Sequence, residues 1–213
     1  MTKLLRHSFL VKIMLIYFLA ASFPSQAQAQ QPKAFVKGLK KYRKAQQKKY
    51  KNPDVSPVRD KAKIFPGLVF FPGDTAYRVA ATLVPSQDTL PFLIPTSNPE
   101  RPKEFVRYGY LEFELHGDSL RLAVYRLRRN GKVFGTSLFL PFNDATNGST
   151  TYGGGRYLDL PLPKPGELVT IDFNRAYHPY CAYSDGWSCP IPPAENRLEV
   201  AVEAGEKLLE GWK

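Results

Sequence analysis

The residues best suited to chemistry lie in the last third of the chain, where Gly153, Gly154 and Gly155 directly precede Arg156. Glycine allows left-handed backbone conformations and the close approach of a ligand. Successive amides of such a loop can bind an anion, and the arginine fork would add a second contact to it. The Gly-Lys-Ser/Thr ending of a P-loop is missing. The same glycines could instead form a bulge or a tight crossing of two strands.

Carboxylates and amides are concentrated in the same part of the sequence. Two facing carboxylates could act as acid and base on a glycosidic bond, and four such oxygens could hold calcium, although no EF-hand spacing is present. Turn formation would explain these residues without a ligand, as would a salt bridge from Asp172 to Arg156, Arg175 or Arg197. The candidate ligand-binding residues are Tyr152, Gly153, Gly154, Gly155, Arg156, Asp159, Asp172, Asn174, Glu195 and Arg197.

The chain contains two cysteines, Cys181 and Cys189. With His178 they would supply three zinc ligands at a spacing that fits no usual zinc site. A Cys–His pair could act as a nucleophile only if the thiols stay reduced. In an exported protein a disulfide is the default state of such a pair. The sequence therefore predicts a Cys181–Cys189 disulfide, with no metal and no cofactor.

The segment around the cysteines is rich in proline and aromatic residues. The run Cys189-Pro190-Ile191-Pro192-Pro193 must be extended, because each proline fixes its own backbone angle and keeps its predecessor out of the helical region. With Tyr180, Tyr183 and Trp187 nearby, the segment could line an aromatic groove for a sugar or a peptide. It could equally be a lid on one end of a barrel, which is the interpretation that we favour.

Short runs of alternating polar and apolar residues, separated by turn residues, follow one another from Ile64 onward. The clearest is 105–115, which places Phe105 on the same side as Leu111 and Phe113, and which a Gly117-Asp118 turn joins to 120–128 as a hairpin. The last of the predicted strands is 198–203. Nine or ten such strands predict an all-β fold, a single antiparallel β barrel or sandwich.

The net charge of +11 comes from the first 63 residues, because residues 64–213 hold 15 basic and 17 acidic side chains. Residues 32–51 predict a basic amphipathic helix that Asn52-Pro53-Asp54 ends. This helix could bind an anionic envelope surface. We favour the alternative that it docks an aromatic stripe on the domain and leaves its lysines solvated. Nucleic acid is not an expected partner of an exported protein, and we expect a monomer.

The first 29 residues have the pattern of a secretory signal. Basic residues precede the apolar run Ile13 to Ala21, and Ala27-Gln28-Ala29 is a cleavage motif. We therefore expect an exported protein, periplasmic or extracellular, that is soluble after cleavage near Ala29. The predicted organisation is a signal peptide over 1–29, a basic helical segment and linker over 30–63, and an all-β domain over 64–213.

Several motifs together resemble a bacterial family that is catalogued as domain-of-unknown-function family 1684. The resemblance rests on Thr151-Tyr152-Gly153-Gly154-Gly155-Arg156-Tyr157-Leu158-Asp159, Asp172-Phe173-Asn174, Tyr180-Cys181-Ala182-Tyr183, Cys189-Pro190, Pro192-Pro193 and Glu195-Asn196-Arg197-Leu198. In that family asparagine usually stands where this chain has His178, so the resemblance implies no shared histidine chemistry. It also implies no established reaction. It implies instead that the glycine–arginine–aspartate block and the Glu-Asn-Arg block form one unit.

These features predict a non-enzymatic binding or envelope-associated β-domain. A first alternative is a hydrolase that acts on an envelope glycan or another polar substrate through paired carboxylates, drawn from Asp144, Asp159, Asp172 and Glu195. A second alternative is a purely structural domain, in which the unusual residues only stabilise the fold.

Overall fold

The computed structural model describes residues 31–212, which form one α-helix and ten strands joined by turns. The predicted signal peptide, 1–29, lies outside the described residues. The elements are α1 (Lys33–Lys51), β1 (Val69–Phe70), β2 (Arg78–Pro85), β3 (Phe92–Ile94), β4 (Lys103–Leu115), β5 (Asp118–Arg129), β6 (Lys132–Val133), β7 (Ser137–Phe142), β8 (Arg156–Pro161), β9 (Val169–Asp172) and β10 (Glu206–Lys207).

Eight strands form one antiparallel sheet, whose main path runs β8-β7-β5-β4-β2-β9. β3 adds to β4, β6 adds to β5, and β1 pairs separately with β10. The two ends of the path meet, because Tyr157 in β8 and Tyr177, which follows β9, exchange two backbone hydrogen bonds of 2.9 and 3.0 Å. The sheet thus curls into a nearly closed barrel, which confirms the predicted all-β antiparallel fold.

The β4–β5 hairpin turns at His116 and Gly117, whose φ angles are +55° and +94°. Positive φ at both central residues is the geometry of a type I′ turn, whose twist matches that of the flanking strands. Leu115 and Asp118 pair directly across the turn. The predicted hairpin is therefore confirmed, with its turn one residue earlier than the predicted Gly117-Asp118 turn.

A β-bulge in β4 changes which side chains face the core. The register of β4 on β5 shifts between Arg107 and Gly109. One extra residue reverses the alternation of side chains on the two faces of a sheet. Leu111 and Phe113 consequently belong to the barrel core, whereas Phe105 packs in a separate cluster. The prediction that Phe105 shares a side with Leu111 and Phe113 is therefore wrong.

The barrel interior is filled by aliphatic and aromatic side chains from the inner face of the sheet. Burying each of them stabilises the fold by about 1.5–3 kcal/mol. The opposite face of β4, β5 and β7, here called the outer face, carries a smaller apolar cluster. The inner core includes Leu111, Phe113, Leu122, Val124, Leu138, Leu140, Leu158, Leu160, Ile171 and Phe173, and the outer cluster includes Ile94, Phe105, Ala123, Tyr125, Leu127 and Phe139.

The predicted strand over 198–203 is irregular in the structure. Its backbone groups bond to side chains and loops instead of a neighbouring strand. The Val202 N–H donates to Asp144 Oδ1 (3.2 Å), and its carbonyl accepts from Arg156 Nη2 (2.7 Å). The last strand, β10, lies further along, at Glu206–Lys207.

The predicted basic helix is confirmed as α1, which packs on the barrel by one face. Leu39 and Tyr50 are buried, and the Gln47 amide bonds both to the carbonyl and to the N–H of Leu68 (2.6 and 2.9 Å). The helix belongs to the same unit as the strands, since residues from 31 onward cluster together. Within the described residues no helix has both the length and the apolar character needed to cross a membrane.

Candidate functional site

A cavity of about 450 Å³ lies between the outer face of the sheet and the segment 177–190. This volume falls within the range of known small-molecule sites. Seven of its sixteen lining residues are aromatic, and we call it the aromatic pocket. The rings are those of Phe105, Phe134, Phe139, Tyr157, Tyr177, Tyr180 and Trp187.

The sheet provides one wall of the aromatic pocket. Strand alternation places Phe139 and Tyr157 on the outer face, because the residues beside them point into the core. The rings of Phe105 and Phe139 stack with centroids 5.5 Å apart, and Phe139 meets Tyr157 edge to face at 4.9 Å. The bulge in β4 is what brings Phe105 to this wall.

The segment 177–190 provides the opposite wall. It is fixed at its start by the Tyr157–Tyr177 backbone pair and near its end by hydrogen bonds from Ser97 N–H to the Cys189 carbonyl (2.9 Å) and from Ile191 N–H to the Pro95 carbonyl (2.8 Å). The sequence favours a lid on a barrel end for the run 189–193 and its aromatic neighbours, which overlaps the end of this segment. In the structure Cys189 and Pro190, together with Tyr180 and Trp187, line the aromatic pocket on the outer face, which is closer to the aromatic-groove alternative.

Two charged groups of opposite sign reach the aromatic pocket. Lys103, at the start of β4, is half-buried, and burial lowers the pKa of its ammonium group. Asp159, in β8, accepts a hydrogen bond from the Tyr177 hydroxyl (2.7 Å). Burial and the nearby Asp159 carboxylate together hold the pKa of Tyr177 well above its usual value, so this hydroxyl stays a donor.

The two cysteines lie side by side, with Cys189 lining the aromatic pocket. The N–H of Cys181 donates to Cys189 Sγ (3.3 Å), and both residues are present as thiols. A hydrogen bond from the Cys189 thiol lowers the pKa of Cys181 to about 6 despite burial, and the Tyr152 hydroxyl adds a contact of 3.9 Å.

A second polar cluster, formed by His178, Tyr183 and Glu206, is fully buried. Glu206 Oε2 accepts from the His178 N–H (2.8 Å) and the Tyr183 hydroxyl (2.9 Å). Burial raises the pKa of Glu206 to about 7 and lowers that of His178 to about 3. His178 Nε2 accepts from the Tyr152 N–H (3.3 Å), so Nδ1 carries the proton of the neutral ring and donates to Tyr183. This cluster is out of reach of solvent.

Arg156 lies in the interior, and its guanidinium is not available to a ligand in this structure. It is 0% exposed and pairs with Asp144 at 2.7 Å, while also donating to the carbonyls of Val202 and Ala204. The carboxylate of Asp144 in turn accepts from Thr146. The pair therefore holds the segment 202–204 against the barrel.

At its last residue, Gly155, the glycine run allows the backbone to pass close to Phe142 and Pro192. Gly155 has a φ of +85°, and a Cβ there would lie 2.7 Å from the Phe142 carbonyl oxygen and 2.7 Å from Pro192. Gly153 and Gly154 are exposed beside Tyr152. The glycine block is thereby brought close to the start of the Pro-Pro/Glu-Asn-Arg block.

Asp172 and Asn174 form a local turn. Asp172 accepts from the Asn174 N–H (3.2 Å) and pairs with Arg175 at 3.2 Å, one of the arginines that the sequence suggested. The buried Asn174 amide exchanges hydrogen bonds with the backbone of Asp74. Both residues stabilise the connection after β9.

Glu195 does not line the aromatic pocket. Its carboxylate accepts from Arg107 (2.8 Å) and from the Tyr125 hydroxyl (2.6 Å). Arg197 is exposed, and its backbone lies beside Asn143. Of the ten candidate ligand-binding residues, Asp159 alone lines the aromatic pocket within the described part of the chain.

Sequence reasoning missed most of this pocket. Phe139 and Tyr157 could have been found, because each is the apolar residue on the outer side of an alternating strand. Phe105 could not, because the bulge that redirects it leaves only Gly109 as a signal. Lys103 has no local sequence signal that distinguishes it from other lysines.

The fold and the pocket together define a small antiparallel β-barrel protein with a cavity of ligand size. The chain belongs to a family described as protein of unknown function (DUF1684), which matches residues 63–207. It is also similar to an uncharacterised protein from Haloarcula marismortui, whose solution NMR structure superposes with a TM-score of 0.64 at 34% sequence identity, covering 82% of this chain and 94% of that one. No curated protein matches the sequence.

Proposed function

We propose that the protein is a non-enzymatic, exported binding protein that takes a small, largely apolar ligand in the aromatic pocket. The observation that carries this proposal is the pocket itself, with seven aromatic rings around about 450 Å³. Ligand sites are concave, mainly apolar, and supplied with a few polar groups that fix orientation. Lys103 and Asp159 are such groups. The sequence pattern of residues 1–29 supports export.

The hydrolase alternative has less support. Its mechanism needs two carboxylates that flank one substrate bond. The four candidate carboxylates instead have separate partners, since Asp144 pairs with Arg156, Asp159 with Tyr177, Asp172 with Arg175 and Glu195 with Arg107. The geometry therefore favours binding over hydrolysis.

The fluorescence of Trp187 provides a direct test, because this tryptophan lines the pocket. The protein has two tryptophans, so a Trp212→Phe background leaves Trp187 as the single reporter. Titration with neutral apolar alcohols, octanol and phenylethanol, is expected to change its emission in a saturable way. Ser137→Tyr, which fills the pocket from β7, should abolish the change, whereas Ser119→Tyr, at an exposed strand position elsewhere, should not. Absence of saturable binding in the parent would overturn the proposal.

We also propose that Cys181 and Cys189 form a disulfide in the exported protein. Their side-by-side placement supports it. In the reaction the two thiols lose two protons and two electrons to an exogenous disulfide, which is reduced to two thiols. Mass spectrometry of periplasmic protein after alkylation without reduction should show both cysteines unmodified. Two alkylated cysteines would show that the pair stays reduced.

A third proposal concerns the outer surface of α1, which could bind an anionic lipid surface. Its exposed lysines form no ion pair with any of the carboxylates whose side chains the structure describes. Basic residues near an anionic bilayer contribute about 1 kcal/mol each. Co-sedimentation with vesicles that contain phosphatidylglycerol, but not with pure phosphatidylcholine, is expected, and glutamine at four of these lysines should reduce it. Equal sedimentation with both lipids would contradict it. The lysines are Lys33, Lys37, Lys40, Lys41, Lys44, Lys48 and Lys51.

A further inference from the structure

Lys103 is the one cation in the lining of the aromatic pocket among the described residues. It begins β4, where its backbone pairs with Ile94 at the edge of the outer cluster. Among the side chains that the structure describes, none forms a hydrogen bond or an ion pair with its ammonium group. An amine that is half-buried without a partner loses hydration and gains no compensating contact. An anion bound in the pocket would therefore stabilise this ammonium group.

The charges around the pocket point the same way. Three of its rings already make a cation–π contact with a basic side chain. The Lys49 ammonium lies 4.9 Å from the centroid of Tyr180, and the guanidiniums of Arg59 and Arg129 lie 4.9 and 4.7 Å from Trp187 and Phe134. The pocket lining contains a single carboxylate, Asp159, among the residues described, and it already accepts a hydrogen bond from Tyr177. The surroundings thus favour a negative ligand.

A quaternary ammonium ligand is the obvious alternative for a cluster of aromatic rings. Such a cation would meet rings that are already engaged by Lys49, Arg59 and Arg129 and would be repelled by Lys103. A multiply charged phosphate is also a poor match, because Lys103 is the single cationic group among the described lining residues and Asp159 would repel additional negative charge. A ligand with one negative charge and an apolar body would complement the ammonium group of Lys103 and the aromatic rings beside it.

We propose that the ligand of the aromatic pocket is a small monocarboxylate with an apolar chain or ring, whose carboxylate binds the Nζ of Lys103. The chain or ring lies against Phe105, Phe139 and Tyr157. This inference rests on the proposed function, because it assumes that the pocket binds a ligand. It adds the chemical class of that ligand and the residue that selects it.

The test compares three ligands that differ only in the head group, namely octanoate, octanol and octylamine, by titration calorimetry on the mature protein. A charge-assisted hydrogen bond contributes about 1.5–3 kcal/mol. Octanoate is therefore expected to bind roughly tenfold or more tightly than octanol, and octylamine more weakly than octanol. Lys103→Met should remove the advantage of octanoate and leave octanol affinity unchanged. Lys164→Met, at a lysine whose side chain is 83% exposed on another turn, should change neither.

The outcomes separate the two proposals. If none of the three ligands binds, the binding function itself fails and this inference fails with it. If octanol binds as tightly as octanoate, or if Lys103→Met leaves the preference intact, the pocket binds ligands but Lys103 does not select them. Should Lys103→Met fail to fold, a protein that retains Lys103 supplies a second measurement. Octanoate affinity should fall as the pH rises toward the lowered pKa of Lys103, while octanol affinity stays constant. The other groups that act on this ammonium are Arg129, which lowers its pKa, and Cys181 and Cys189, which raise it, so the measurement is made on the Cys181→Ser/Cys189→Ser variant. A constant octanoate affinity over that rise would overturn the inference.

Discussion

The guanidinium of Arg156 and the carboxylate of Asp144 are 2.7 Å apart, and neither side chain is exposed to solvent. Removing one partner leaves the other charge buried and unpaired, which typically costs 3–5 kcal/mol. We expect Arg156→Met to lower the free energy of unfolding by about that amount in urea titrations. The matched control is Arg175→Met, which breaks a pair that is half exposed and should cost less than about 1 kcal/mol. Similar losses in both variants would contradict a special role for the buried pair.

Gly155 should tolerate no side chain. With φ at +85° and the Phe142 carbonyl 2.7 Å from the position of a Cβ, alanine is strained both by conformation and by contact. The conformational part alone is about 1–2 kcal/mol. Thermal or urea unfolding of Gly155→Ala should show a loss of at least that size. Gly153→Ala, whose Cβ would meet nothing closer than 3.7 Å, should be nearly neutral, and a larger loss there than at Gly155 would refute the assignment.

The buried cluster of His178, Tyr183 and Glu206 predicts how stability depends on pH. The pKa of Glu206 is raised from 4.5 to about 7, so its contribution is full below pH 4.5 and is lost as the pH rises to about 7. The pKa of His178 is lowered from 6.5 to about 3, so its contribution is full above pH 6.5 and is lost as the pH falls. Between pH 4.5 and 6.5 the two slopes oppose each other, and their sum is nearly flat.

Replacing His178 removes its contribution to the pH dependence of stability and leaves that of Glu206. In His178→Asn, the free energy of unfolding should fall by about 3 kcal/mol as the pH rises from 4.5 to 7, relative to the wild type. The remaining charged groups that act on Glu206 are Arg156 and Lys49, and the variant leaves both in place. Urea titrations across this range measure the slope. In His178→Asn/Glu206→Gln the slope should disappear, and its persistence would assign the pH dependence to other groups.

If the proposed disulfide forms, reduction should destabilise the protein. Closing the short loop from Cys181 to Cys189 is worth about 2.5 kcal/mol in the chain-entropy account. We expect dithiothreitol to lower the free energy of unfolding by that amount in the wild type and to have no effect on Cys181→Ser. An equal response of both proteins to the reductant would show that no such bond contributes.

The secondary-structure elements that depend on neighbouring residues could be predicted from the sequence. Period-two alternation located the β4–β5 hairpin, and the lysine-rich run before Asn52 located α1, because both signals are contained in neighbouring residues. Arg156 shows where such reasoning ends. A glycine run followed by arginine is the same string whether the guanidinium faces a ligand or Asp144, and only the tertiary fold decides between them. The bulge at Gly109 has a similar effect, since one unpaired residue moved Phe105 from the core to the pocket.

Tyr157 belongs both to the seam of the barrel and to the wall of the cavity. Its backbone fastens the two ends of the sheet to each other through Tyr177, and its ring faces the space that a ligand would fill. A ligand that packs against this ring would therefore also stabilise the Tyr157–Tyr177 backbone pair, and we expect its binding to slow amide hydrogen exchange at both residues.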